Sequence, residues 1–345
     1  MPGYVLAFII AIGISLVVTP AVILLAKATG ATDKPNARKI HNKPIPRIGG
    51  VGIYFAFIAA VIITATVSGF EGEMIFEING LIVSGSLMFL VGLIDDYKNL
   101  PAKVKLLGQI IAAAVLVLVF DVRIDFVTDP FGDYIYLEWF AVPATMFWLV
   151  GLTNTINLID GLDGLAAGVS AIAAITIMLV ALKQNFFLVA VLTAALAGAA
   201  CGFLFYNSNP ARIFMGDSGS LFLGFMLAGI SVIGAAKSTA TVTLIVPILA
   251  LGLPILDTTF AIVRRWRGGQ PIFKPDKGHL HHRLLGLGFT QRQAVFLMYV
   301  ISAMLGLSAV AMTEVNSQIA FLILLIIVIA IFYGAKKLGI LRLTN

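Results

Sequence analysis

Residues 319–332 read IAFLILLIIVIAIF, a run with no polar side chain and no alternation of polar and apolar positions. With its flanks it extends over 317–334, enough helix to cross roughly 30 Å of hydrocarbon at about 1.5 Å per residue. Inside a bilayer every backbone amide must be satisfied within the segment, and the lack of alternation excludes a barrel strand, so the run is a helix. The same pattern recurs along the chain. Eleven spans are expected, near 4–26, 48–69, 78–94, 104–120, 139–156, 164–182, 185–205, 218–235, 241–263, 294–312 and 317–334. The 345 residues are 60% hydrophobic and 12% charged, with a mean hydropathy of +1.02. The expected fold class is therefore all-α, a polytopic membrane protein. No polar segment is long enough to fold alone and internal repeats are not evident, so 1–345 is read as one membrane domain. The first span follows no basic region and is too long for a signal-peptide core, so it is read as a retained helix.

Charge orients the spans. With eleven of them, one side receives Lys27, Lys34, Arg38, Lys39, Lys43, Arg47, Lys98, Lys103, Lys105, Arg212, the seven basic residues from Arg264 to Arg292, and Lys336, Lys337 and Arg342. The other side keeps Arg123, Lys183 and Lys237. The positive-inside rule then places the N-terminus outside and the C-terminus in the cytoplasm. The net charge of +6 belongs to the cytoplasmic face, where it favours anionic membrane lipids and phosphorylated ligands. Nucleic acid is a poor partner, because there is no soluble basic domain to bind it.

Smaller features fill in the plan. The outside stretch from Asp121 to Glu138 holds a Pro130–Gly132 turn and an alternating Tyr134–Leu137 run, which predicts a hairpin. The ninth span contains Pro247 and Pro254 with Asp257 close behind, and prolines bend or break a helix, commonly at a cavity. The single cysteine, Cys201, lies in an apolar span, excludes an intramolecular disulfide and reads as a small buried hydrophobe.

Four polar clusters interrupt the apolar pattern at the basic side. The first is LIDDYKNLPAKVK, ending the third span. Asp95 and Asp96 are adjacent, about 100° apart on a helix, and two carboxylates in a partly dry setting repel unless a cation is near. Mg²⁺, a hard ion preferring oxygen, would serve; the alternative is that they neutralise Lys98, Lys103 and Lys105. The second is NTINLIDGLDGLAAG, where Asn154, Asn157, Asp160 and Asp163 recur every third residue, with Gly161 and Gly164 allowing close approach of a ligand. Helix capping explains any one of these four more readily than all together. The third is NSNPARIFMGDSGSLFLG: Asp217 opens the eighth span, Ser218 and Ser220 are placed to cap it, and Phe214 offers a face for stacking on a base or for core packing. The fourth is FKPDKGHLHHRLLGLG, with His279, His281 and His282 between Lys277 and Arg283. Partly cationic histidines contacting phosphate are preferred over zinc, since no cysteine assists, and over a bare surface cluster.

Taken together these motifs resemble the polyprenyl-phosphate N-acetylhexosamine-1-phosphate transferases. The resemblance covers nearly the whole chain, through DKPNARKIHNKPIPRIGG, DDYKNL with PAKVK, NTINLIDGLDGLA, FMGDSGS and GHLHHRLL in family order. HLHH is similar to the WecA and TagO branch; the MraY branch carries three consecutive histidines and an acidic pattern absent here. What the resemblance implies is transfer of a sugar 1-phosphate, N-acetylglucosamine or a related N-acetylhexosamine, from a UDP-sugar to undecaprenyl phosphate with release of UMP, on the cytoplasmic face of a bacterial plasma membrane. It implies Mg²⁺ as cofactor, with Mn²⁺ as the alternative ion, held by Asp217 with Asn157 as second ligand. It implies Asp95 and Asp96 at the reaction centre and Lys105 at the lipid phosphate. It puts Asp163 and Phe214 at the uracil, and His279, His281, His282 and Arg265 at the sugar or diphosphate. Asp160 joins the substrate-binding set without a defined contact, and relatives suggest a homodimer.

The chemistry is consistent with the residues. A phosphate monoester has a second pKa near 6, so the lipid nucleophile is largely ionised and needs screening more than a base. Direct attack is favoured over a covalent aspartyl intermediate. Two other readings stand: the same reaction with UDP-N-acetylmuramoyl-pentapeptide or another UDP-sugar, and a secondary transporter, which explains the bent ninth span but not polar clusters confined to one mouth.

Overall fold

The computed structural model describes residues 1–33, 44–128, 133–237, 245–269, 278–315 and 317–337. The basic positions Lys34, Arg38, Lys39 and Lys43, the Pro130–Gly132 turn, Lys277 and Arg342 lie outside the described residues.

The described chain is helical apart from two small antiparallel ribbons. The helices are α1 (Gly3–Thr29), α2 (Gly50–Ser68), α3 (Glu73–Lys98), α4 (Ala102–Ala114), α5 (Ala141–Ile159), α6 (Leu165–Lys183), α7 (Phe187–Asn207), α8 (Gly216–Lys237), α9 (Ile245–Ala250), α10 (Gly252–Arg267), α11 (Leu280–Gly286), α12 (Gln291–Met312) and α13 (Ser317–Lys337). Nine helices among the described residues are long and apolar enough to cross a membrane. α13 adds a shorter apolar stretch over Gln318–Ala330. The ninth expected span is two helices rather than one. Leu251, at φ −101° and ψ 13°, breaks it between α9 and α10, and Pro254 sits in the first turn of α10, where a missing N–H costs little.

β1 (Thr32–Asp33) pairs with β2 (Ile45–Pro46). The hairpin expected after the fourth span is present: β3 (Phe126–Thr128) pairs with β4 (Tyr134–Tyr136), Val127 opposite Ile135. Tyr136, Trp139 and Phe140 beside it are exposed aromatics, the residue type that favours a membrane–water boundary.

α8 is the axis of the bundle. It packs on α2, α3, α5, α6 and α7, and buries Phe222 and Phe225 completely. Apolar side chains gain little from leaving lipid for protein, so close packing by small residues must hold these helices together. The chain supplies it where α2 and α3 cross the start of α8. A Cβ on Gly50 would lie 2.1 Å from the Gly219 amide nitrogen, and one on Gly92 would lie 2.4 Å from the Asp217 carbonyl. These glycines bring the end of α3 and the start of α8 to one end of the bundle. The N-terminus is at the other end, with Gly3 against Ser68 at the far end of α2.

Candidate functional site

Asp96 organises the site. α3 runs past its expected end to Lys98, so Asp95 and Asp96 lie inside its last turn, buried, rather than in a turn beyond it. Asp96 Oδ1 accepts from the Asp217 amide at 2.8 Å, and Oδ2 accepts from the Ser218 amide at 3.0 Å and the Ser218 hydroxyl at 2.6 Å. The carboxylate thus caps α8 from another helix, meeting amide donors that have no partner of their own and the positive end of the helix dipole. Ser218 was expected to cap this helix; its hydroxyl instead donates to Asp96, and Ser220 Oγ donates to the Gly216 carbonyl at 3.1 Å. Gly216 has φ 72°, and a Cβ there would meet the Arg47 carbonyl at 2.1 Å, so the turn into α8 needs glycine.

Asp95 points the other way. Its Oδ1 accepts from the Leu100 amide at 2.7 Å and its Oδ2 lies 3.6 Å from Lys105 Nζ. Lys105 also pairs with Asp217 Oδ2, so one ammonium stands between two carboxylates. Apart from that ion pair, Asp217 Oδ2 has no hydrogen-bond partner among the described residues. Asp217 Oδ1 accepts from Asn157 Nδ2 at 3.1 Å, which also donates to Ser220 Oγ at 2.8 Å. Arg47 closes the cluster, 3.8 Å from Asp96 Oδ1 and donating to the Asp95 carbonyl at 3.3 Å and Asn99 Oδ1 at 3.2 Å.

This donor set suits a hard divalent ion. Among the described residues no three His, Cys, Asp or Glu side chains group as a complete metal cage. Mg²⁺ is ordinarily held by one or two carboxylates with substrate phosphates and water completing its shell, and a buried carboxylate oxygen whose one partner among the described residues is a lysine ammonium fits that pattern.

The turn after α5 supplies the next wall. Asp160 is half-buried, and burial, with the negative charges of Asp96 and Asp163 adding to it, pushes its carboxyl up to about 7. Asp163 Oδ2 is committed to Asn209 Nδ2 at 2.9 Å and the Ala211 amide at 3.1 Å, tying this turn to the one before α8. Phe214 is half-buried there, its amide donating to the Pro46 carbonyl at 2.7 Å and its carbonyl accepting from Gly49 at 3.0 Å.

α11 covers the same turn. His281 is buried against Gly161, where a Cβ would lie 2.6 Å from its Nε2. Desolvation first, then repulsion from His282 and His279, outweighs attraction to Asp257 and lowers its pKa to about 4. The expectation of partly cationic histidines therefore fails at His281, which is neutral at pH 7 because water cannot reach it. His279 is also buried, its Nδ1 3.0 Å from Asp257 Oδ2, whereas His282 is exposed. Arg265 is half-buried in the last turn of α10; the buried arginine is its neighbour Arg264, so close to Gly278 that a Cβ there would lie 2.2 Å from Nη2.

The structure thus gathers Asp95, Asp96, Lys105, Asn157, Asp160 and Asp217 at one end of the bundle, with Asp163, Phe214, His279 and His281 around them. Sequence reasoning omitted Arg47, Gln109, Arg264 and Asp257 from the site. Asp257 carried a signal, a lone acid behind two prolines in an apolar segment.

Residues 78–235 match the sequence family described as Glycosyl transferase family 4. A protein of Bacillus subtilis (strain 168), described as a probable undecaprenyl-phosphate N-acetylglucosaminyl 1-phosphate transferase, is 40% identical over 98% of this chain and 93% of its own length. A decaprenyl-phosphate N-acetylglucosaminephosphotransferase of Mycolicibacterium smegmatis is 35% identical over 80% of this chain and 74% of its own. A phospho-N-acetylmuramoyl-pentapeptide-transferase of Listeria monocytogenes is 32% identical over 74% of this chain and 82% of its own. With two-fifths of its residues shared along nearly the whole of both chains, and the matched segment carrying α3 through α8 with their acids, this chain belongs to glycosyl transferase family 4.

Proposed function

We propose that the protein transfers N-acetylglucosamine 1-phosphate from UDP-N-acetylglucosamine to undecaprenyl phosphate and releases UMP. The observation that carries the reading is Lys105 standing between Asp95 and Asp217 at the ends of apolar helices, a charged cluster of the kind that would meet a lipid phosphate at a membrane surface. In the reaction an oxygen of the lipid phosphate attacks the sugar-bearing phosphorus, a new P–O–P linkage forms, and the bond to the bridging oxygen of UMP breaks.

Each group has a task in that displacement. The lipid phosphate is largely ionised near neutral pH, so the task is to bring two anions together. Lys105, on a flexible stem, exchanges a carboxylate for the incoming phosphate. Asp217 and Asn157 would hold Mg²⁺, or Mn²⁺ in its place, which would supply positive charge against the diphosphate. Asp95, with one oxygen directed to Lys105, keeps that ammonium in place and takes any residual proton of the acceptor. Asp96 acts by holding the Asp217 amide, and through it the start of α8. Phe214 and the Asp160–Asp163 turn receive the uracil, and His279, His281, His282 and Arg265 the sugar and diphosphate.

The site faces the cytoplasm in this proposal, because the described basic residues Arg47, Lys98, Lys103, Lys105, Arg212 and Arg264 belong to its end of the bundle. The Listeria relative supports one other donor, UDP-N-acetylmuramoyl-pentapeptide. Purified protein with Mg²⁺, undecaprenyl phosphate and a panel of UDP-sugars is expected to release UMP fastest with UDP-N-acetylglucosamine. Preference for the pentapeptide donor would reassign the substrate, and no UMP from any donor would end the enzyme reading. A cysteine introduced at Lys98 in a Cys201→Ser background, expected to react with an impermeant maleimide only in opened cells, tests the facing.

A further inference from the structure

Asp257 is a carboxylate in the second turn of α10 with a side chain 3% exposed, in the segment that follows the break at Leu251. A buried carboxylate costs several kcal/mol, by order of magnitude, unless its oxygens are met. Both are met by the start of α11. Oδ2 lies 3.0 Å from His279 Nδ1, and Oδ1 accepts from the Leu280 amide at 2.7 Å. α11 receives no side-chain cap from the residue that precedes it, so Asp257 supplies one from outside the helix.

The consequence runs on to His281. Its ring stacks on His279 with centroids 5.7 Å apart and planes 9° from parallel, and it is pressed against Gly161 in the Asp160–Gly164 turn. Among the described residues His281 Nδ1 is buried with no hydrogen-bond partner, an atom open to a group from outside them. The two histidines enter the site as a stacked pair, and the acid that sets their position is on a different helix.

We infer that Asp257 is the positioning residue for this histidine pair. By taking the Nδ1 proton of His279 into a hydrogen bond it leaves Nε2 as the ring's lone-pair acceptor, able to receive a sugar hydroxyl of the donor, and by tying down the Leu280 amide it sets His281 over the Asp160–Gly164 turn. The assignment rests on the transferase reading for its kinetic consequence, and on geometry alone for its structural one.

The test uses the intact protein in lipid nanodiscs with ¹⁵N-labelled histidine. In the wild type, His279 Nδ1 is expected to carry a proton. Asp257→Asn keeps the shape but has one acceptor oxygen for two N–H donors, so the ring is expected to turn over its tautomer, with Nδ1 accepting from the new amide. UMP release should fall on the order of 10- to 100-fold in kcat, as when a group orienting a functional histidine is lost. His279→Gln should fall at least as far, and the double variant should be no slower than His279→Gln, because Asp257 works through that ring. Asp257→Glu retains the charge and should recover the Nδ1 proton and part of the rate, which keeps the test open should the asparagine variant misfold. An unchanged His279 tautomer in Asp257→Asn, or losses that multiply in the double variant, would overturn the inference. Failure of the wild type to release UMP would instead remove the transferase reading, and the tautomer measurement would still decide the position of His279.

Discussion

Gln109 and Asn154 hold each other by both ends of their side-chain amides: Asn154 Nδ2 donates to Gln109 Oε1 at 2.6 Å and Gln109 Nε2 donates to Asn154 Oδ1 at 3.2 Å. The pair joins α4 to α5, and Asn154 Nδ2 also donates to the Val150 carbonyl at 2.8 Å, one turn back in its own helix. Lys105 lies one turn before Gln109 and Asn157 about one turn after Asn154, so this bridge fixes the height at which the ammonium meets Asp217.

Gln109→Leu is expected to leave the Asn154 amide short of a partner, at a cost of about 1–3 kcal/mol, and to slow UMP release as Lys105 shifts. The exchanged pair Gln109→Asn with Asn154→Gln should melt above either single change. Melting temperatures and rates of the three variants check this; additive losses in the exchanged protein would show that the two amides do not act as a unit.

Asp95 and Asp96 should separate cleanly despite being neighbours. Asp96→Ala removes the cap on α8 and is expected to lower stability by about 2 kcal/mol, taking activity with it. Asp95→Asn keeps an acceptor for the Leu100 amide and removes the charge beside Lys105, so it should melt within a few degrees of the wild type while turnover falls at least tenfold. Thermal unfolding and UMP release, measured on the same preparations, compare the two.

His281 gives the stability a defined pH dependence. Its folded pKa, about 4, lies below the ordinary 6.5, so above pH 6.5 both folded and unfolded chains are neutral there and the ring contributes nothing. Between pH 6.5 and 4 the unfolded chain takes up a proton that the folded one refuses, and stability is lost on acidification. His281→Gln should therefore lose less stability than the wild type over that window. Parallel melting curves at pH 7.5 and pH 5 measure the difference, and equal losses in the two proteins would place the titration elsewhere.

Gly50 tests the contact between α2 and α8. With the Gly219 nitrogen 2.1 Å from any added Cβ, Gly50→Ala must push two backbones apart and is expected to cost about 1–3 kcal/mol or more. Gly13, also inside a helix, has nothing within 4 Å of its would-be Cβ, and Gly13→Ala should be neutral or stabilising. Melting temperature and the yield of folded protein distinguish the two substitutions.

The helices were readable in the sequence because span length and unbroken hydropathy are local properties, and 319–332 or the run through α7 allowed no other structure. The β3–β4 hairpin was readable from equally local signals, the alternation from Tyr134 to Leu137 beside the Pro130–Gly132 turn sequence. The clusters at the ends of the spans were visible as exceptions to the apolar pattern. What each acid does there was not, since that depends on partners far away in the chain. Asp96 looks like half of a reactive pair until Ser218 is seen 122 positions on, and the HLHH segment looks cationic until His281 is found packed on Gly161. Gln109 was invisible because a lone glutamine in an apolar helix has no signature without Asn154 opposite it. The ninth span was expected to bend, but where it gives way depends on tertiary packing as well as on Pro247 and Pro254.

The cap that α3 provides for α8 also sets an order of manufacture. A growing chain that has placed its first seven helices already carries Asp95, Asp96, Lys105 and Asn157, but Asp217 is still to come and Asp96 has no amides to hold. Until the eighth helix is in place neither the cap that Asp96 provides nor the pairing of Lys105 with Asp217 exists, so the charged cluster is finished by insertion of that helix and not before.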